Sequence, residues 1–232
     1  MKTVIIIPCY NEEAVLEKNI KEVLEAVKNF LNTIIVISDN NSKDSTAEIA
    51  KRLVNDNASI EYVFVAEPGK GAAVMEAWKK YEADIYGFMD ADLATDLSAL
   101  PPAFSALSEG YDGVIGSRRI GSAKAKRQLY RKFTSFILNF LIRAILKTKV
   151  KDTPCGFKFF KKDLINKIVP QVKDRKWVFD TEMLVLAERA GFKIKEIPVE
   201  WEEKGLRGSK VNIYPTSREY LKKILEIKHR LS

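Results

Sequence analysis

The sequence predicts an α/β protein built on a doubly wound, mostly parallel sheet. Two observations carry this reading: strand-like apolar runs alternate with helical patterns through the first half of the chain, and those runs are apolar at nearly every position. A strand covered on one face would alternate, so continuous runs imply helices on both faces. In such sheets ligands bind beyond the carboxyl ends of the strands.

"TVIIIP" (3–8) is the first strand, ended by Pro8, and a helix over about 12–30 follows with Leu16, Ile20, Val23, Leu24 and Val27 at helical spacing. "TIIVIS" (33–38) is the second strand. Turn formers then lead to a helix opening near Asp44 or Ser45, with Glu48 in its first turn. "IEYVFVA" (60–66) is the third strand, "GKGAAVMEAWKKY" the third helix and "DIYGFM" (84–89) the fourth strand. The second half is less regular. "YDGVIGSRR" (111–119) is a strand running into a basic loop, "DTPCGFKFFKKD" (152–163) a strand and turn, and 178–192 a helix stopped at Gly191. A strand over 193–201 and a basic helix over 215–231 complete the chain. A chain of 232 residues without linkers or low-complexity tracts is read as one domain, 1–232, with a ligand-binding half (1–117) and a second half (118–232).

The formal charge of +8 points to anionic partners, and the basic residues concentrate after residue 117. Two distant cysteines, Cys9 and Cys155, and an N-terminal apolar run too short for a secretory signal point to a reducing, cytoplasmic setting. The sequons at Asn40 and Asn57 then read as chance matches. The single histidine, His229, disfavours a histidine metal site or a Ser-His triad. The chemistry is left to carboxylates, basic groups and backbone amides.

"PCYNEE", "SDNNSKDS", "EPGKG" and "DADLATD" all fall at strand ends and so share one rim. In the last, Asp90 and Asp92 extend from adjacent pleats and point the same way. Such a pair can hold Mg²⁺ or Mn²⁺, which recruits substrate phosphates for its other positions. The alternative is a solvated turn with an aspartate capping the next helix, a role that suits Asp96. Lys70 and the glycines around it bring a cation and a helix N-terminus, a ready anion site, to the same rim. "GSRR" adds guanidinium groups suited to phosphate. Carboxylates for a metal and cations for phosphate together describe a nucleotide-diphosphate site.

With those motifs in place, "VIIIPCYNEE", "VISDNNSKDST", "GKGAAVMEAW", "MDADLATD", "GSRR", "DTPCGFKFF", "FDTEMLVLAERAGF" and "RGSKVN" resemble, in order and across nearly the whole chain, family 2 glycosyltransferases of the GT-A fold. The resemblance is stronger still to the polyprenyl-phosphate sugar synthases that make dolichyl-phosphate mannose or, more so, dolichyl-phosphate glucose. It implies an inverting, metal-dependent hexosyltransferase using Mg²⁺ or Mn²⁺, a nucleotide-diphosphate sugar (UDP-glucose or GDP-mannose type) as donor and a polyprenyl or dolichyl phosphate as acceptor. A soluble or glycan acceptor is the alternative. By this resemblance Pro8, Tyr10, Asn11 and Glu12 line the nucleoside pocket with Lys70 and Ala91 nearby, and Asp39 reads the base. Asp90 and Asp92 form the metal site, with Asp92 the main ligand. Arg118, Arg131, Lys210 and a residue at Arg207 or Lys204 hold the diphosphate and the acceptor phosphate. Asp92, Arg118, Arg131 and Asp180 are the expected catalytic residues. Ser38-Asp39 replaces the family's paired acids, and Ala94 stands where the mannose synthases often carry glutamine.

"FTSFILNFLIRAIL" (133–146) is too short to cross a bilayer of about 30 Å. Its basic flanks, Lys124, Lys126, Arg127, Arg131 and Lys132 before it and Lys147 and Lys149 after, favour a helix lying on an anionic leaflet over a buried core helix. The expectation is peripheral association with the cytoplasmic face of a membrane, with a separate transmembrane partner as one route. Asp180 and Glu182 either orient a sugar hydroxyl or acceptor, or serve as first-turn acids. Trp201 either packs in the core or borders the ligand. Two other functions are disfavoured. A nucleotidyltransferase would want a basic, Gly-rich loop where acidic "PCYNEE" stands. A nucleic-acid binder gives Asp90 and Asp92 no role, so no nucleic-acid partner is expected.

Overall fold

The computed structural model describes the chain apart from residues 31, 122, 127, 128, 203–212 and 232, and apart from the side chains of 124–126, 129–135 and 213–218. Strands β1 (Thr3–Cys9), β2 (Thr33–Asp39), β3 (Ile60–Phe64) and β4 (Ile85–Met89) alternate with helices α1 (Leu16–Val27), α2 (Thr46–Asp56) and α3 (Lys70–Trp78). A 3₁₀ turn (Leu97–Ala99) and α4 (Leu100–Ser108) lead to β5 (Gly113–Ser117), the short β6 (Lys124–Lys126) and α5 (Leu129–Leu146). Then come β7 (Phe157–Lys161), α6 (Lys162–Ile168), α7 (Phe179–Arg189), β8 (Ile194–Pro198), β9 (Glu200–Glu202) and α8 (Ile213–Leu231).

The seven-stranded sheet runs β3-β2-β1-β4-β7-β5-β8. All its pairings are parallel except those of β7, which is antiparallel to β4 and β5. The expected doubly wound architecture follows from the strands' own chemistry. Ile5, Ile7, Ile35 and Ile37 face α1, α2 and α4, while Val4, Ile6 and Val36 face α3, α6 and α7. A third cluster joins Ile142 and Leu146 of α5, Val185 of α7 and Tyr220, Ile224 and Ile227 of α8.

Register places the site. Cys9 pairs with Asp39, and Ser117 with Pro198, so the parallel strands end together. Because β7 runs the other way, its first residue Phe157 pairs with the last of β4, Met89. The loop before β7 therefore lands on the same rim as the loops that follow the parallel strands.

Some boundaries differ from the sequence expectation. The first helix starts at Leu16, not near 12, because the amides of Asn11, Glu12 and Glu13 are drawn to Ser42 Oγ (3.0 Å), Thr46 Oγ1 (2.8 Å) and Asp44 Oδ2 (3.3 Å), fastening the first rim loop to the second. The strand expected over 193–201 divides in two. Val199 N still donates to the Ser117 carbonyl (3.2 Å), after which β9 leaves for a two-stranded ribbon with β6. The run 133–146 is neither wholly core nor wholly surface. Its helix buries Ile142 and Leu146 but leaves Phe136 (58%), Ile137 (42%) and Phe140 (63%) exposed. Among the described residues no helix is long and apolar enough to cross a membrane.

Candidate active site

The site is organised around the end of β4. Asp90 N donates to the Gly156 carbonyl (3.0 Å), which ties the tip of β4 to the loop before β7. The chain then turns sharply through Leu93, whose φ is 47°, with Leu93 N bonded to the Asp90 carbonyl (3.1 Å). Asn19 of α1 holds this turn from the other side by donating to the Ala91 carbonyl (2.7 Å). Asp96 accepts from Ser98 N (2.8 Å), the capping role expected for it. The Ala94 amide donates to Asp92 Oδ1 (3.0 Å), and its carbonyl accepts from Glu202 N (2.9 Å).

Asp90 and Asp92 differ in surroundings. Asp90 Oδ1 lies 2.5 Å from Lys70 Nζ. The carboxylate of Asp92 reaches solvent, yet the protein packed around it desolvates it. Together with Asp90, and to a lesser extent Glu12, that desolvation raises its pKa above the usual aspartate range. Crowded carboxylates of this kind are relieved by a divalent cation. Among the described residues no group of three or more His, Cys, Asp or Glu side chains could hold a metal. An ion here would therefore rest on this pair, chiefly Asp92, with substrate oxygens and water completing its shell, as Mg²⁺ prefers. The donor set fits such an ion. Gly156 is part of the same construction, since a Cβ there would overlap the Asp90 carboxylate.

The cations sit just beneath. Burial alone would depress the Lys70 ammonium, but Asp90, Asp180 and Asp92 outweigh it and hold its pKa above the ordinary lysine value. Lys70 lies 5.2 Å from the Phe88 ring centroid, and Lys158 5.3 Å from the same ring. Lys158 is fully buried; it donates to the Cys155 carbonyl and pairs with Asp180 Oδ2 at 2.7 Å. Arg118 is held by Asp152 through Nε (2.7 Å), a terminal nitrogen (2.7 Å) and its own amide (2.9 Å). Burial would raise the Asp152 carboxyl, but Arg118 overrides it and keeps it below the usual range. The guanidinium lies 5.6 Å from the ring of Trp201, which is half-buried and lies beneath it.

The residues expected around the nucleoside do share the rim. Pro8 is the penultimate residue of β1, beside Ser38, Tyr10 is half-exposed, and Asn11 Oδ1 accepts from Lys43 N (2.7 Å). Asp39 is buried at the end of β2, where it accepts from Ser42 N (3.0 Å) and Tyr62 Oη (3.0 Å). Burial and this carboxylate push the Tyr62 phenol up to about 12. The Asn40 side chain of the first sequon is buried, and its amide donates to the Val65 (3.2 Å) and Glu67 carbonyls (2.6 Å).

One expectation is corrected. The α3 N-terminus is not an open anion site, because Gly71 N and Ala72 N donate to the Lys176 (2.9 Å) and Arg175 (2.7 Å) carbonyls. Gly69 and Gly71 serve close packing instead: a Cβ on either would strike this segment. Asp180 and Glu182 are both buried. Asp180 is paired with Lys158, and Glu182 accepts from Lys173 N (2.9 Å) and Asp174 N (2.8 Å) and pairs with Arg230. Arg131 stands near the start of α5 with its side chain outside the described set; Lys204, Arg207 and Lys210 fall outside the described residues. The sequence reading missed Lys158, Asp152 and Gly156. A lysine set among Phe157, Phe159 and Phe160 in "GFKFF" was a usable signal, because a strand so apolar leaves a charge no solvent.

The sheet order, with one antiparallel strand set among parallel neighbours, is that of the GT-A architecture. Residues 4–169 match the family described as Glycosyl transferase family 2, and the chain belongs to that family. The chain is 34% identical over 206 residues to glycosyltransferase AglD of Haloferax volcanii, covering 87% of this chain but 33% of AglD. It is 34% identical over 224 residues to the dolichyl-phosphate beta-glucosyltransferase ALG5A of Trichomonas vaginalis, covering 90% of this chain and 68% of that protein. The chain thus spans about a third of the one relative and about two thirds of the other. In fold it is similar to glucosyl-3-phosphoglycerate synthase from Mycobacterium tuberculosis, solved with Mn²⁺, UDP-glucose and phosphoglyceric acid. There the TM-score is 0.72 at 17% identity, covering 98% of this chain and 80% of that one.

Two outcomes test this geometry. Gly156→Ala displaces the Asp90 carboxylate, and sugar-transfer activity is expected to fall about 100-fold with the circular dichroism spectrum retained. Unchanged turnover would contradict the bracing role. For Asp92 the sign follows from its raised carboxyl. The folded state holds that proton more tightly than the unfolded chain, so stability is lost as pH rises through and above the ordinary value of 3.8. Asp92→Asn is therefore expected to raise the melting temperature of the metal-free protein at pH 7, with the gain vanishing by about pH 3.

Proposed function

We propose that this chain transfers a hexose, with inversion, from a nucleotide-diphosphate sugar to a polyprenyl phosphate such as dolichyl phosphate, at a membrane surface and with Mg²⁺ or Mn²⁺. The observation that carries the reading is the meeting of Asp90, Asp92 and Lys70 at one strand tip, with Arg118 on the same rim, in a family 2 chain similar over 90% of its length to a dolichyl-phosphate beta-glucosyltransferase. The glucosyl-3-phosphoglycerate synthase of like fold, solved with Mn²⁺ and UDP-glucose, supports the metal and the donor class.

In this reading residues 1–117 bind the donor and 118–232 receive the acceptor. Pro8, Tyr10, Asn11, Glu12, Ala91 and Asp39 border the nucleoside, and Asp90 and Asp92 hold the ion. A divalent ion bound there would supply positive charge to offset the negative charge that develops on the departing nucleoside diphosphate. Lys70 adds its ammonium, and Arg118 is assigned to the phosphates, a role the family resemblance extends to Arg131, Arg207 and Lys210. An acceptor phosphate oxygen attacks the anomeric carbon as the bond to the diphosphate breaks. A phosphate monoester, with a second pKa near 6, is already mostly dianionic at neutral pH and needs no strong general base. Asp180, paired with Lys158, then serves the site's charge balance from below.

The surface of α5 supports the membrane part of the reading. Phe136, Ile137 and Phe140 are exposed on it, Arg119 lies 5.6 Å from the Phe136 ring, and Leu225 of the neighbouring α8 is also exposed.

The direct assay offers a panel of nucleotide-sugars with Mn²⁺ and a polyprenyl phosphate. One donor is expected to yield a sugar-lipid with inverted anomeric configuration, and Asp92→Ala to reduce turnover at least about 100-fold. No sugar-lipid from any donor, in folded protein, would overturn the proposal. Separately, Phe140→Glu is expected to weaken co-sedimentation with anionic vesicles without lowering the melting temperature; unchanged sedimentation would exclude this face.

A further inference from the structure

Trp177 is a large aromatic side chain that the activity leaves without a role. It is 50% exposed, although it sits at the mouth of the site. Its ring centroid is 6.0 Å from Lys70 Nζ, which in turn is 2.5 Å from Asp90 Oδ1. The backbone on both sides of it is held firmly. Asp174 Oδ1 accepts from Lys176 N (2.9 Å) and Val178 N (3.0 Å), and Glu182 accepts from Lys173 N and Asp174 N. The Arg175 and Lys176 carbonyls are bound by the first amides of α3, and Arg175 is paired with Glu67 (2.8 Å) and Glu76. Immediately after Trp177, Val178 is buried in the cluster shared with α5 and α8.

A loop fastened at this many points displays an indole to solvent beside a charged cluster. Left uncovered, that ring adds nothing to the core. Binding sites typically combine such rigid aromatic surface with a few fixed polar groups. The ligand group able to use it must be apolar on one side and attached directly to the charge that Asp90 and Lys70 attend. A hexose meets both conditions: its axial C–H groups form an apolar face, and its anomeric carbon is bonded to the donor's terminal phosphate. The nucleobase lies, in the proposed reading, at the tip of β2 by Asp39, two strands from Asp90.

We propose that Trp177 is a specificity-determining residue, a preorganised platform on which the donor's hexosyl ring stacks. This rests on the proposed nucleotide-sugar activity and assigns the sugar subsite within it.

The experiment compares the wild-type chain, Trp177→Phe and Trp177→Ala in Mn²⁺. Titration calorimetry measures two pairs of ligands, UDP-glucose with UDP and GDP-mannose with GDP. The wild type is expected to bind one nucleotide-sugar more tightly than its nucleoside diphosphate. Trp177→Ala should weaken that sugar nucleotide about tenfold and leave the diphosphate unchanged, with Trp177→Phe in between. Should Trp177→Ala fail to fold, indole emission decides. The sugar nucleotide should then quench wild type more than the diphosphate does, and this difference should disappear in Trp177→Phe. Equal weakening of both ligands, no weakening of either, or a rise only in the KM for polyprenyl phosphate would overturn the assignment while leaving the activity standing. A wild type that binds neither pair would remove the activity reading itself, and the assignment with it.

Discussion

Two carboxylates at the end of one strand repel each other, and much of the surrounding construction answers that repulsion. Lys70 presses against Asp90 from beneath, and Gly156 leaves room for the same carboxylate. Asn19 grips the turn between the two acids from α1. Asp92 is left at the surface with a carboxyl raised by its surroundings and by its neighbour. A cluster arranged in this way is poor at stabilising the fold and well suited to attracting a multivalent cation. Strain of this kind is tolerated where the remaining structure over-determines the position, and the rim is fastened from several elements at once.

Those fastenings explain the antiparallel strand. Because β7 enters the sheet against its neighbours, the residues before it, Asp152 to Gly156, lie on the ligand-binding rim. There they brace Asp90 through Gly156 and hold Arg118 through Asp152. Lys158 ties this loop to the start of α7 by contacting both the Cys155 carbonyl and Asp180. Buried ion pairs seldom add net stability, since desolvation cancels much of the attraction. Their retention at two adjacent places, Arg118–Asp152 and Lys158–Asp180, is better understood as fixing geometry and charge under the site. The packing of the 174–179 segment on α3 has the same character: glycines that might have left amides open for an anion instead let two backbones meet.

Much of this is legible in the sequence. The apolar runs gave away the doubly wound sheet because burial on both faces leaves no polar period, and topology then collected the four polar loops on one rim. Asp90, Asp92 and Lys70 are legible as rim residues because they stand next to strand ends, whereas Glu12 is singled out only by the family resemblance. The direction of β7 was not legible, since an isolated apolar strand carries no sign of which way it enters a sheet. Helix ends shifted where side chains from another loop captured the amides, as at Glu12 and Thr46. The expected anion site at α3 failed for a related reason: its partner carbonyls come from a segment about a hundred residues further along the chain. Lys158 was missed despite its aromatic neighbours because a lone lysine reads by default as solvated.

The central claim is that the tip of β4 works by offering a crowded pair of carboxylates to a divalent ion, which then holds the donor's diphosphate. Calorimetry of UDP and GDP binding in Mn²⁺ and again after chelation tests it most directly. Tight binding of one nucleotide that is lost when the metal is removed is the predicted result. Binding of equal affinity with and without the ion would contradict the account.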